Sequence, residues 1–290
     1  MASETQTETY YVPEQSKLPI WMAIGMATTV TGAALWMNGS NAMMFLAGCL
    51  VLAATLYQWF SIQITENHQG LAGPQLKRSY VWGMGWFIFS EVMFFAAFFG
   101  ALYYVRGLNI HWLAGEGAFE STQMLYDNFT ASWPLMSNPD NSLFPGPEDV
   151  IHATGLPLIN TILLLASSIT LTISHHALIA GKRKPMQIWL GVTILLGLLF
   201  LYFQAIEYHE AYTELGLTLN SGIYGTTFFM LTGFHGAHVT IGTFMLIVMF
   251  FRGQKGHFKS EDHFGFQAAA WYWHFVDVVW VCLFILVYWI

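Results

Sequence analysis

Charge is what this sequence has least of. Charged side chains occupy 9% of its 290 positions, against about a quarter in soluble globular domains. That shortage excludes an ordinary soluble protein. Cysteine is nearly absent as well. Cys49 and Cys282 both fall inside apolar runs, so there is neither a metal-type spacing nor a disulfide framework, and both read as small packing residues. The chain also shows no basic start followed by a short apolar core. Residues 1–17 are polar and acidic, with Lys17 as their single basic residue. A cleaved signal peptide is therefore not expected, and the first span is expected to direct insertion. Internal repeats are missing too, which leaves an inverted-repeat transporter without support.

Apolar length is what the chain has in abundance: hydrophobic residues are 55% of it and aromatics 17%. A hydrocarbon core about 30 Å thick takes roughly 20 helical residues to cross. Runs of that length occur near 19–38, 42–65, 79–106, 157–181, 186–209, 222–252 and 264–290. They are continuous rather than alternating, which excludes a transmembrane β-barrel. The expected fold is all-α and polytopic, with seven transmembrane helices. It divides into a polar segment 1–18, a helical hairpin 19–65 closed at Asn38–Asn41, a linker 66–78 with Gly70, Gly73 and Pro74, and a five-helix bundle 79–290. Ala23, Ala27 and Thr31 offer a small-residue face for close helix approach. The outer loop 107–156 is long enough to cover something, but its residues name no chemistry. The phenylalanines of span three, from Phe87 to Phe99, read as packing.

Basic residues set the orientation. With the N-terminus inside, Lys17, Lys77, Arg78, Lys182, Arg183, Lys184, Arg252, Lys255 and Lys259 all lie on the cytoplasmic side, and Arg106 alone lies outside. The odd number of spans then puts Ile290 at the outer face. Acidic residues gather mostly in the outer loops, among them Glu116, Glu148, Asp149 and Glu210, and account for the net charge of −7.

Ionisable residues inside spans are costly and mark partners or function. Glu91, His235, His238, His274 and Asp277 are such residues. At a rise of 1.5 Å per residue they sit roughly 15–25 Å from the inner ends of spans three, six and seven, near one depth. Two readings fit: a proton-handling site, or a polar cluster fastening those three helices. The pairs His175-His176 and His235/His238, with Glu207 to Glu210, also resemble fragments of the histidine boxes of membrane di-iron enzymes. A metal needs converging ligands, and these fall at the inner end, the middle and the outer end of the membrane. Arg252, Lys255 and His257 form a basic group at an inner helix end, which suits anionic headgroups.

Several segments together resemble subunit III of the haem–copper oxidases. They are Tyr57-Gln58-Trp59, Phe89-Ser90-Glu91-Val92-Met93-Phe94-Phe95, Leu158-Ile159-Asn160-Thr161, Ser174-His175-His176, Glu207-Tyr208-His209-Glu210-Ala211, Tyr224 to Phe229, Thr232 to Val239, and His263 to Trp280. The resemblance implies an accessory subunit of a proton-pumping cytochrome c oxidase, which reduces oxygen to water. Helices one and two would be set apart from three to seven by a phospholipid-holding cleft. It implies no haem or copper in this chain; those belong to partner subunits. The implied partners are oxidase subunit I as main contact, subunit II, small subunits, phospholipids, and cytochrome c as electron donor to the complex, with no nucleic acid. No residue would be catalytic. Glu91, His235, His238, His274 and Asp277 match interior polar positions, and Trp59, Glu66, Arg252, Lys255 and His257 match positions that contact lipid. The segments Ser61 to Thr65 and Leu71 to Pro74 depart from the family pattern, which points to different headgroup binding there. The location expected is a bacterial plasma membrane, with a mitochondrial inner membrane as the alternative. A quinol oxidase subunit is the nearest rival function, although relatives of that type usually lack the first two helices.

Overall fold

The computed structural model describes residues 11–117, 122, 124–127 and 129–290, so the expected segment 1–18 lies partly outside the described residues. The chain divides into two compact units, one ending at Gly83 and the other beginning at Met84. Among the described residues the regular structure is all helical. Seven helices are long and apolar enough to cross a membrane: α1 Leu18–Met37, α2 Met43–His68, α3 Pro74–Leu113, α4 Leu156–Ile179, α5 Arg183–Thr213, α6 Ile223–Gln254 and α7 Phe264–Trp289. The seven-span, all-α architecture expected from the apolar runs is the one found.

Helices outlast the apolar runs where the chain enters water. α2 continues through Glu66 to His68 and α3 starts at Pro74, so the non-helical link is 69–73, inside the expected 66–78. Proline suits a first helical position because its missing N–H would have no helical partner there. α3 likewise runs past Arg106 to Leu113 through a π turn at Val105–Asn109, and the long loop begins beyond it.

In the first unit, α1 and α2 form a hairpin whose turn places Gly39 at φ +87°, a conformation glycine adopts without a Cβ penalty. The helices meet backbone to backbone. A Cβ on Gly32 would strike the main chain of Met44 and Phe45, and one on Gly48 would strike the main chain of Thr29. Gly25, Thr29 and Gly32 therefore make the crossing. The expected face of Ala23, Ala27 and Thr31 is exposed instead, because even a methyl group is too large for so close an approach.

The second unit is built around α7. Trp273 and Trp280 are fully buried, and Trp273 enters between α5 and α6 through glycine gaps. A Cβ on Gly197 would come within 2.7 Å of its Cη2, and one on Gly242 within 2.9 Å of its Cε3. α4 buries Asn160, Thr161, Leu164, Ser167, Leu171, Ser174 and Leu178, a stripe at helical spacing that mixes leucines with small polar residues. Two hydrogen bonds tie α4 to α5: Ser174 Oγ donates to the Met186 carbonyl at 2.8 Å, and the Thr170 and Thr193 hydroxyls pair at 2.8 Å. At the C-terminal end of α6, Arg183 donates to the last carbonyls of that helix, from Nε to Gly253 at 3.1 Å and from Nη2 to Gln254. The Gly253 carbonyl also accepts from the Gly256 N–H at 3.0 Å, so Arg183 gives it a second partner.

The described part of the loop between α3 and α4 packs onto the bundle rather than trailing in solvent. The Glu148 N–H donates to the Leu215 carbonyl at 2.9 Å. Asn138 Nδ2 donates to the Phe144 and Ser221 carbonyls at 2.8 and 3.3 Å. Beneath it, Phe129 and Leu135 join Ile110, Leu217, Phe228 and Phe229 in a second apolar cluster.

Candidate functional site

Of the five interior residues singled out in the sequence, the structure joins two directly. Glu91 of α3 and His238 of α6 are 2.9 Å apart, Oε2 to Nε2, and both are mostly shielded. The other ring nitrogen, His238 Nδ1, is 2.6 Å from the Phe234 carbonyl. A carbonyl only accepts, so Nδ1 carries a proton. The Glu91–His238 contact then holds one proton in either of two forms: an imidazolium donating to a carboxylate, or a carboxylic acid donating to a neutral imidazole. Both forms are neutral as a pair. Aromatic rings enclose it: Phe94 and Phe95 lie 5.8 and 5.0 Å from the His238 ring, and Tyr272 stacks on it at 6.4 Å.

The other three residues make separate contacts. His235 is buried, and its Nε2–H donates to the Val276 carbonyl at 3.2 Å. Its ring also lies 5.0 Å from that of Trp280. His274 Nδ1 pairs with Ser168 Oγ at 2.6 Å, bridging α7 to α4. Asp277 is buried, with neither carboxyl oxygen in a hydrogen bond among the described residues; Ser168 is the polar side chain that bears on it. The five groups thus occupy α3–α6, α6–α7 and α4–α7 contacts in turn.

The sequence reading missed the groups that satisfy the indoles of α7. Trp273 Nε1 donates to Ser167 Oγ at 2.9 Å, and Trp280 Nε1 donates to Thr161 Oγ1 at 2.9 Å. Small hydroxyls recurring along α4 were the available signal. Also missed were the partners of the side chains near the C-terminal end of α5. There Tyr288 donates to Glu207 Oε1 at 2.6 Å, Gln204 Nε2 donates to the Thr232 carbonyl at 3.0 Å, and the Tyr208 and Thr232 hydroxyls pair at 2.6 Å. Thr232 Oγ1 donates to the Phe228 carbonyl at 2.8 Å, so Tyr208 is the donor in that pair.

The histidine-box fragments lie apart. His175 is near the C-terminal end of α4, its ring 5.2 Å from that of His263; Glu207 is bound to Tyr288, and His238 to Glu91. Among the described residues, no three His, Cys, Asp or Glu side chains come together as a metal would require.

The residues expected at lipid divide between the units. In the first, Trp59 is exposed on α2, and Glu66 accepts from Tyr11 at 3.1 Å and from Gln63 at 3.3 Å. Partial desolvation and the bond to Glu66 both push the Tyr11 phenol above its ordinary range. In the second, the Arg252 guanidinium lies 4.8 Å over the Phe258 ring, and its Nη1 is 3.9 Å from Met249 Sδ. Its Nε is buried without a partner, and no carboxylate pairs with it among the described residues. Lys255 is exposed one turn further on.

Known proteins share this sequence over nearly its whole length. The family pattern for cytochrome c oxidase subunit III matches residues 8–112 and 141–290. The cytochrome c oxidase subunit 3 of Raphicerus melanotis is 39% identical over 285 residues, 98% of each chain. That of Dugong dugon is 40% identical over 285 residues, again 98% of each chain, and that of Mus musculus is 39% identical with the same coverage. The chain belongs to the cytochrome c oxidase subunit III family.

Proposed function

We propose that this chain is the metal-free accessory subunit of a proton-pumping cytochrome c oxidase, and that it holds phospholipid, steadies the catalytic subunit and supports its proton uptake. Haem and copper reside in partner chains, subunit I being the main contact and subunit II a second. The N-terminus faces the side that carries Lys77, Arg78, Lys182 to Lys184 and Arg252, following the bias of basic residues.

One observation carries the lipid-holding role: the half-buried Arg252 guanidinium, at the end of a membrane helix, lacks a carboxylate partner among the described residues. A buried charge without a counter-ion is costly, and a headgroup phosphate supplies both charge and acceptor oxygens. Lys255 and His257 lie within one and two turns of it. The quinol oxidase reading has less behind it, since the relatives aligned over nearly the whole chain are cytochrome c oxidase subunits. The di-iron reading has no convergent ligand set behind it among the described residues.

The test is purification in mild detergent through a tag on this chain. A haem-bearing oxidase should co-elute with stoichiometric phospholipid. Arg252→Ala should lose part of that phospholipid and inactivate faster during turnover. A chain that elutes alone with tightly bound iron would overturn the accessory reading, and unchanged lipid content in Arg252→Ala would overturn the lipid role.

A further inference from the structure

α5 and α6 leave a groove of about 210 Å³ between them, lined by Leu201, Gln204 and Tyr208 of α5 and by Gly233, Gly236 and Thr240 of α6. Steps of three and four residues keep each set on one helix face. Tyr208 lies five residues from the end of α5 and Leu201 twelve. At 1.5 Å per residue, the groove covers depths of roughly 8–18 Å from that end.

Two glycines keep the groove open over a buried amide. A Cβ on Gly236 would come within 3.1 Å of Gln204 Oε1, and one on Gly233 within 3.6 Å of Tyr208 Oη. Gln204 is only 5% exposed. Its Nε2 donates to the Thr232 carbonyl at 3.0 Å, whereas Oε1 has no hydrogen-bond partner among the described residues. A buried acceptor left without a donor is costly, and a donor placed in the groove removes that cost.

The neighbouring hydroxyls have already spent their hydrogens. Tyr208 donates to Thr232 Oγ1 at 2.6 Å, and Thr240 Oγ1 donates to the Gly236 carbonyl at 2.8 Å. The side-chain oxygens of Gln204, Tyr208 and Thr240 therefore offer lone pairs and no hydrogen. Phosphate and carboxylate groups bring lone pairs of their own and are repelled. An ammonium group would need a counter-ion at this depth, and among the described residues no Asp or Glu lines the groove. Glu207, on the neighbouring face of α5, is bound to Tyr288. A neutral hydroxyl on an apolar body meets both requirements.

We propose that the α5–α6 groove binds a lipid-soluble alcohol, a neutral amphiphile whose O–H donates to Gln204 Oε1. Its chemistry is distinct from that of the phospholipid at Arg252. The site lies wholly within this chain and does not rest on the oxidase reading.

The test uses the full chain purified in mild detergent, together with the subunits that accompany it, and a diazirine-bearing long-chain alcohol as probe. The methyl ether of that alcohol keeps the apolar body and lacks the donor. On irradiation the alcohol should label segments 201–208 and 233–240 several-fold more than the ether does, and several-fold more than it labels Phe244, which is 66% exposed on α6. Gly236→Ala sets a methyl group over Gln204 Oε1 and should bring labelling by the alcohol down to that of the ether, with phospholipid content unchanged. The comparison of the two probes on the wild-type protein decides the matter even where Gly236→Ala does not fold. Equal labelling by alcohol and ether, or labelling at Phe244 as strong as in the groove, would overturn the proposal. Undiminished labelling of a folded Gly236→Ala protein would overturn it as well.

Discussion

His238 reaches Glu91 with one ring nitrogen, at 2.9 Å, and the backbone of its own helix with the other, at 2.6 Å. Since the Phe234 carbonyl fixes a proton on Nδ1, Glu91 meets either an N–H or a lone pair at Nε2. A glutamine meets both equally well, through its oxygen or its amide. Glu91→Gln should therefore keep the α3–α6 contact and leave the oxygen-reduction rate of the complex near wild type. Glu91→Leu leaves Nε2 shielded and unpaired, at a cost of about 1–3 kcal/mol, and should lower the thermal stability of the subunit. A large loss of turnover in Glu91→Gln with stability intact would instead assign Glu91 a direct proton-transfer role.

The indole of Trp273 is fully buried and has one acceptor, Ser167 Oγ. Ser167→Ala removes that acceptor where no water can replace it. Interhelical hydrogen bonds in membranes average about 0.6 kcal/mol, but a stranded buried N–H raises the cost toward about 1–2 kcal/mol. The midpoint of detergent-induced unfolding should fall measurably in Ser167→Ala. Thr172→Ala, which removes an exposed hydroxyl bonded only to its own helix, should leave the midpoint unchanged.

Span count and helical class were legible because both follow from apolar run length alone, which a 30 Å core imposes on any sequence. Helix ends were less so. Glu66 to His68 and Pro74 to Arg78 are polar and lie outside the apolar runs, yet helical hydrogen bonding carries on through them into water. The α1–α2 crossing was misplaced because alanine and glycine both count as small, and only the backbone contact at Gly32 and Gly48 separates them. Pairing was the hardest to read. Similar depths for Glu91, His235, His238, His274 and Asp277 follow from residue counting, but whether two side chains meet depends on helix rotation, which counting does not supply. The partners of Trp273 and Trp280 lie more than a hundred residues upstream, on a helix whose hydroxyls look unremarkable one at a time.

Asp140 tests the ordering of the loop between α3 and α4. Its carboxyl accepts from the Ser142 hydroxyl and from the Ser142 and Leu143 amides, and the Ser142 bonds hold its pKa below the ordinary value. A carboxyl with a depressed folded pKa adds stability above its unfolded pKa and loses it as pH falls through the folded one. Between about pH 6 and about pH 3, spanning the ordinary Asp range, amide exchange at Ser142 and Leu143 should therefore rise beyond the intrinsic pH trend. Asp140→Asn should remove that excess pH dependence. Equal pH trends in the two proteins would show that the carboxylate does not order this turn.

Gly48 and Gly83 are both helical glycines, and the structure predicts opposite outcomes for them. A Cβ at Gly48 runs into the Thr29 main chain, whereas one at Gly83 meets nothing within 4 Å. Gly48→Val must push α1 and α2 apart, and overpacking of this kind costs about 1–3 kcal/mol. The strain falls on backbone, which cannot swing aside as a side chain can, so the cost should sit at the upper end. Gly83→Ala gains about 0.5–1 kcal/mol from reduced backbone freedom in the unfolded chain. Thermal unfolding of the purified subunit should thus move down for Gly48→Val and slightly up for Gly83→Ala. Protease cleavage at the Asn38–Asn41 turn should quicken only in the first. If Gly48→Val unfolds like wild type, the close α1–α2 crossing is not what holds the hairpin together.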